Sequence, residues 1–396
     1  MYKKLKKSAL YIFLSFCLVA SAIVVIPNGT IYYMIGLAII FLTSLRFNQG
    51  NNRERDLYIM FLLACFLSSI INNVYNYRLF VFALTLIACT PITMSERIVR
   101  FRTRYLFFSL LVFPIISVIS LYCYFVGFNC FSPEEGDVTW DFSAIFPHPM
   151  WLAAAVGLAN TVILWLVLLS KKVVFRYLFI LILLLSLFLS VVAASRSALA
   201  ASLISMTLLL LIRSTNIKKL LVNITVTSAL LFSLFPIYYE HSGRIQGKME
   251  YSADYKYGSR QEHFFYGFEH LKDNPIVGAG FATAYYENRK VVGRLESGSG
   301  WLSILFQTGI VGSCVMIFLL YRLRRLRKFI KSNNRLQLFL ACFVFLCFHS
   351  CFEGYILTSG YYLCILFWVM LGLLDVYPKY SRIIEADSIL YEHEFH

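Results

Sequence analysis

The amino-acid sequence predicts an all-α polytopic membrane protein with about twelve transmembrane helices. Three observations predict it. Of the 396 residues, 59% are hydrophobic and 14% charged, and the mean hydropathy is +0.70. Soluble domains have roughly 45–50% apolar and about 25% charged residues. The apolar residues fall into repeated runs, and a run of about 18 or more is long enough to cross a bilayer as a helix. The basic residues gather in alternate links between those runs.

The first run, Ser8 to Ile26, follows Lys3, Lys4, Lys6 and Lys7. Ala20-Ser21-Ala22 resembles a signal-peptide cleavage site, but the run continues past it, so an uncleaved first span is expected. Further spans are expected over 31–45, 57–72, 79–94, 105–126, 150–169, 174–194, 198–212, 220–237, 300–320, 336–353 and 359–375. They are read as helices because the bilayer interior offers no water to satisfy backbone N–H and C=O groups.

Counting Lys and Arg fixes the expected orientation. With the N-terminus in the cytoplasm, the inner links and ends hold 26 of the 36 basic residues. They include Arg97 to Arg104 and the run Arg322 to Arg335. The outer face keeps Arg78, Arg196 and eight basic residues in one long loop that also carries eight acids. Both termini are therefore expected in the cytoplasm, with 376–396 as a cytoplasmic tail. The net charge of +15 is this asymmetry, so no nucleic-acid partner is expected. The ten cysteines are scattered, with no CxxC or finger spacing. Neither a disulfide framework nor a metal site is indicated.

The chain is expected to form one membrane domain, 1–396, with two outer segments too long to be plain connections: a short loop over 127–149 and a large loop over 238–299. Within the large loop, Arg260 to Lys272 predicts a short amphipathic helix, with Phe264, Phe268 and Leu271 on one face and Phe265 beside them. Such a helix suits the membrane interface. Pro275, Gly278 and Gly280 end it.

The residues that can carry chemistry stand at the outer face. Arg196 lies in Ala194-Ser195-Arg196-Ser197, between two apolar runs with almost no loop. Its plain reading is a snorkelling hairpin marker. Its functional reading is a fixed guanidinium for an anionic substrate, since the planar fork suits phosphate. Arg260 is either a solvated helix-end charge or a second guanidinium over the same pocket. Glu296, where the large loop returns to the membrane, is either a capping acid or a general base. His148 precedes Pro149 at the mouth of a span and reads first as a bridge between polar groups. His349 and Glu353, four residues apart, read as a polar pair or as part of a cavity wall. His263 and His270 read as exposed helix residues.

At these residues the sequence resembles the bacterial O-antigen ligase and O-antigen polymerase superfamily. Ser195-Arg196-Ser197 is similar to the family's Ser-Arg or Thr-Arg element at the start of a span. Ser259-Arg260, an aromatic helix and Asn274-Pro275-Ile276-Val277-Gly278-Ala279-Gly280 are similar to its arginine segment ending in NPxxGxG. Ser299-Gly300-Trp301-Leu302 through Gln307-Thr308-Gly309-Ile310-Val311-Gly312 resembles the element that opens the following span. The matching stretch covers roughly 190–315 and keeps the family's order. One slot departs. The ligase pattern has a histidine where this chain has Gly298, and an asparagine where it has Ser299.

The resemblance implies a metal-independent, cofactor-free, inverting glycosyltransferase of the bacterial inner membrane. Its implied donor is a polyprenyl-diphosphate-linked glycan, with membrane lipid around it and a chain-length regulator as a partner. The implied catalytic set is Arg196, Arg260 and Glu296. Arg244, His148, Trp301, His349 and Glu353 form the implied substrate-binding set. The missing histidine favours a polymerase of lipid-linked repeat units. The alternatives are a ligase transferring polymer to lipid A-core and, from another class, a transporter or flippase. No inverted repeat with interrupted central helices, the mark of a transporter, is visible in the sequence.

Overall fold

The computed structural model describes residues 2–48, 53–131, 142–193, 195–214, 261–286, 289–292, 298–331 and 333–392. Twelve α-helices occur among them: α1 (Tyr2–Ala20), α2 (Gly29–Arg46), α3 (Asp56–Ile71), α4 (Tyr77–Cys89), α5 (Glu96–Phe125), α6 (Pro149–Leu169), α7 (Val173–Val192), α8 (Arg196–Arg213), α9 (Gln261–Asp273), α10 (Gly300–Arg322), α11 (Asn334–His349) and α12 (Tyr362–Glu392). The chain is a multi-pass membrane protein.

The helix starts follow from capping residues. Ser95, Ser195, Ser299 and Asn333 each accept a bond from a backbone N–H three residues on, and Asn76 does so two residues on. Pro149 occupies the first turn of α6, where its missing N–H costs nothing.

Seven of the described helices are long and apolar enough to cross a membrane by length and composition: α2, α5, α6, α7, α8, α10 and α12. Four more apolar stretches, Ser8–Ala20, α3, α4 and α11, are shorter. At 1.5 Å per residue, the 16 residues of α3 rise about 24 Å against roughly 30 Å of hydrocarbon. Among the described residues, then, eleven of the expected spans are a mixture of long and short apolar helices. The expected span 220–237 lies outside the described residues.

α6 and α12 form the centre, with 78% and 89% of their apolar windows buried. α5, α7, α8 and α11 pack against α6. A seam of small polar side chains joins four of these helices. Ser117 bonds Ser186 at 2.8 Å, and Asn160 donates to Ser190 at 2.9 Å and to Ser202 at 3.3 Å. Thr161 and Ser205 are 2.6 Å apart. Gly157 lets α6 approach closely, since a Cβ there would lie 2.5 Å from the Phe345 ring and 3.3 Å from the Ala198 carbonyl oxygen. Lipid tails give helices no hydrophobic reason to associate, so such small residues and polar bonds hold the bundle.

The structure adds three features that the sequence reading did not foresee. The fold is not purely α: an antiparallel hairpin, β1 (Thr283–Tyr286) and β2 (Arg289–Val292), pairs Thr283 with Val292 and Tyr286 with Arg289. α12 runs on past Pro378 to Glu392, with a kink at Tyr380. Basic residues counted as loop charges are partly structural. Arg102 is 0% exposed and donates to the Thr90 and Ile87 carbonyls, Ser44 and Thr93. The C-terminal carbonyls of α4 need donors, and a guanidinium supplies several at once. Arg335 is buried over the Phe107 ring, and Arg322 pairs with Asp375 at 2.9 Å.

Candidate functional site

α6 and α8 run side by side, and Gly157, Ala198 and Phe345 mark one level across α6, α8 and α11. At about 1.5 Å per residue, Arg196 lies about 3 Å beyond that level and His349 about 6 Å beyond it, both toward the same end of the bundle. The sequence expectation puts this end outside. The opposite end carries Arg213, which donates to the Leu168 carbonyl at 2.8 Å and to Gln337 at 3.0 Å.

Arg196 is the first residue of α8. Ser195 before it is consumed in capping, accepting from the Ala198 N–H, and shares a bond with Ser197 at 3.2 Å. The Arg196 side chain is exposed. The element therefore holds the backbone with its serines and presents the guanidinium outward, beside the positive end of a helix. This is the arrangement an anionic group needs.

Gly298 and Ser299 open α10. Gly298 has φ +69°. The Ser299 hydroxyl accepts from the Leu302 N–H and donates to the Ser350 carbonyl at 3.4 Å. The Gly300 N–H donates to the carbonyls of Ser350 and Glu353 at 2.7 and 3.0 Å. The Trp301 indole N–H donates to the Cys347 carbonyl at 2.9 Å. The start of α10 is thus seated on the end of α11, with N–H groups meeting carbonyls head to tail. Trp301 serves first to dock these two helices and keeps a partly exposed ring.

The other candidates fall in different surroundings. His148 caps α6, its Nδ1 accepting from the Met150 N–H at 3.1 Å, with Phe131 edge-on at 5.7 Å. His349 is 1% exposed and lies between the rings of Phe345 at 5.5 Å and Tyr355 at 5.6 Å. α11 ends at His349, and Glu353 stands in the turn beyond it, half-buried beside Tyr355 and Tyr361. Burial pushes the Tyr355 phenol well above its ordinary range, with Cys347 and Glu353 adding to it. It stays protonated and donates to the Leu346 carbonyl at 2.5 Å. Arg244, Arg260 and Glu296 lie outside the described residues.

The amphipathic helix expected over 260–272 is α9. It docks on α10 through Gly267, where a Cβ would lie 2.3 Å from the Phe306 ring, and through Phe268, edge-on to Phe306 at 5.1 Å. Phe265 and Phe268 remain 58% and 46% exposed.

Sequence reasoning missed what the glycine-rich segment after α9 does. α10 is broken at Gly309, which has φ +63° and ψ −161°. The segment 275–279 supplies the bonds that the break removes. Ile310 N–H donates to the Pro275 carbonyl at 3.0 Å, Val311 N–H to Ile276 at 3.2 Å, and Ala279 N–H to Phe306 at 2.8 Å. α3 closes the interlock. Ser68 donates to the Gln307 carbonyl at 2.6 Å and accepts from Gly280 N–H, and Asn72 donates to the Gly278 carbonyl at 2.8 Å. The signal was present as NPIVGAG and QTGIVG, two glycine-spaced strings that need each other's backbone.

Among the described residues no group of three or more His, Cys, Asp or Glu side chains is placed to hold a metal. No curated protein matches the chain. Residues 180–317 match a family model described as O-antigen ligase. That stretch runs from α7 through Arg196, α9 and the interlock into α10.

Proposed function

We propose that this chain, whose residues 180–317 match the O-antigen ligase family model, joins polyprenyl-diphosphate-linked repeat units into a surface polysaccharide on the outer face of the inner membrane. That match supports a glycosyltransferase-like role in polysaccharide biosynthesis. The observation that carries the lipid-diphosphate donor is Arg196, an exposed guanidinium at the first turn of α8 inside the matched segment.

In this reading the acceptor hydroxyl oxygen attacks C1 of the donor's first sugar from the face opposite the phosphate. The C1–O bond to phosphate breaks, and the lipid diphosphate leaves with the electron pair. The anomeric configuration inverts. Arg196, with Arg260, holds the diphosphate and stabilises the charge that grows on it, which a fixed donor in a poorly hydrated site does without reorganisation. Glu296 takes the hydroxyl proton. Surrounding apolar helices hold the isoprenoid tail.

Polymerase is preferred to ligase because the slot of the ligase histidine is Gly298, and the adjoining Ser299 is committed to capping α10. The second reading, ligase, is favoured by the description of the matching family. Purified protein in lipid nanodiscs, given the lipid-linked repeat unit alone, is expected to form lipid-linked dimers and longer ladders. Intact repeat unit after prolonged incubation, with transfer only when lipid A-core is added, would replace this reading by the ligase one.

A further inference from the structure

At the Arg196 end, the segment from Cys351 to Tyr361 links α11 to α12 and is pinned from several sides. The Gly300 N–H holds the Glu353 carbonyl, and the Trp368 indole N–H holds the Ile356 carbonyl at 2.9 Å. The Gly360 N–H reaches the Tyr33 hydroxyl at 3.0 Å, and Ser359 donates to the Arg78 carbonyl at 3.4 Å. These bonds tie the segment to α2, α4, α10 and α12, so the side chains it presents are held by a rigid backbone.

Two layers of rings lie here. Tyr355, Tyr362 and His349 are buried. In front of them Trp151, in the first turn of α6, and Tyr361 meet with ring centroids 4.7 Å apart at 43° and stay half-exposed. Tyr362 stands edge-on to Tyr361 at 4.7 Å and donates to the Trp151 carbonyl at 3.2 Å. The buried rings therefore fix the orientation of the partly buried pair. Glu353 is half-buried beside Tyr355 and Tyr361.

Aromatic residues at a membrane boundary often serve only as interfacial anchors. Tyr75 and Tyr77 have that form, at 73% and 71% exposed. Trp151 and Tyr361 do not, since each is largely covered by protein, and Tyr361 lies within electrostatic reach of the Glu353 carboxylate. Rigid aromatic faces beside one acid match a sugar ring, whose apolar C–H face stacks on an aromatic plane while adjacent hydroxyls donate to a carboxylate. A lipid headgroup phosphate would be repelled by the same acid.

We propose that Trp151, Tyr361 and Glu353 form the acceptor-sugar subsite, binding the terminal sugar of the incoming glycan. The proposal rests on the glycosyl-transfer reading above and adds where the acceptor sits. The donor end stays with Arg196, so the two substrates meet across the α6–α8–α11 mouth.

The test is steady-state kinetics of the full-length protein in nanodiscs. The donor probe is the lipid-linked repeat unit from a strain lacking this gene. The acceptor probe is the oligosaccharide released from it by mild acid. Glu353→Gln and Tyr361→Ala are each expected to raise the acceptor KM at least tenfold while the donor KM stays within twofold. Tyr361→Phe, which keeps the stacking face, is expected to raise the acceptor KM less than Tyr361→Ala does. The donor KM, which a folding defect would also move, serves as the folding control. Unchanged acceptor KM in both variants, or a rise in donor KM instead, would overturn the subsite. Absence of any transfer by the parent protein would instead overturn the glycosyl-transfer reading, and this subsite with it.

Discussion

Gly278 and Gly309 meet backbone to backbone: a Cβ on Gly278 would lie 2.6 Å from the Gly309 nitrogen, and one on Gly309 would lie 2.3 Å from the Ile276 carbonyl oxygen. Both have positive φ, at +75° and +63°. The contact joins the broken helix α10 to the segment that follows α9, and through Ser68 and Asn72 to α3. Gly309→Ala is expected to cost at least about 3 kcal/mol, since it combines a glycine-only conformation with a clash against fixed backbone. Thermal unfolding of the detergent-solubilised protein checks this. A Tm within a degree of the parent would show that the interlock yields easily.

Asp375 is buried on α12 and pairs with Arg322 at the far end of the bundle from Arg196. Asp375→Ala leaves a largely buried guanidinium without its partner, which costs about 3–5 kcal/mol. The double variant Arg322→Met with Asp375→Leu is expected to recover most of that loss, because neither charge then needs hydration. Unfolding midpoints of the three proteins decide it, and equal losses in single and double variants would contradict the account.

Much of this was legible in the sequence, and the failures have physical causes. Eleven of the expected spans coincide with apolar stretches of helix, because long apolar runs have few alternatives in a bilayer. Their exact ends were not legible, since capping and turns set them. The hairpin 283–292 was hidden in a loop read only for helical periodicity, although Thr283, Tyr285, Tyr286, Val291 and Val292 favour strands. Arg102 and Arg335 read as inner-face charges by sign alone, and only the packing reveals that helix ends and rings enclose them. Among the site residues, Arg196 was visible as an isolated guanidinium between apolar runs. Trp151, Tyr361 and the turn that carries Glu353 were not, because their meeting depends on contacts between residues about two hundred positions apart.

Arg196→Ala is expected to abolish polymer while the protein stays in the membrane at normal abundance. The side chain is exposed and its serine neighbours do the capping, so folding does not depend on it. Arg196→Lys is expected to restore less than a tenth of the product, since an ammonium cannot reproduce bidentate phosphate contacts. Glycan gels with matched immunoblots check both, and a parental ladder from Arg196→Ala would remove this residue from the site.

Topology is open to direct labelling. In a cysteine-free background, Lys272→Cys, exposed near the end of α9, is expected to react with an impermeant maleimide in intact cells. Arg325→Cys, exposed at the opposite side, is expected to react only after the inner membrane is breached. The reverse pattern would invert the orientation and place Arg196 inside.

The most direct measurement of the central claim is the glycan profile of a strain from which the gene is deleted. A polymerase and a ligase share the lipid-diphosphate donor, so Arg196 does not separate them, and the slot at Gly298 does. Glycine takes no proton, and Ser299 beside it is bound into the start of α10. The account predicts surface lipid carrying a single repeat unit and no ladder, restored by the parental gene. Bare core, with full-length polymer stranded on its lipid carrier, would contradict it.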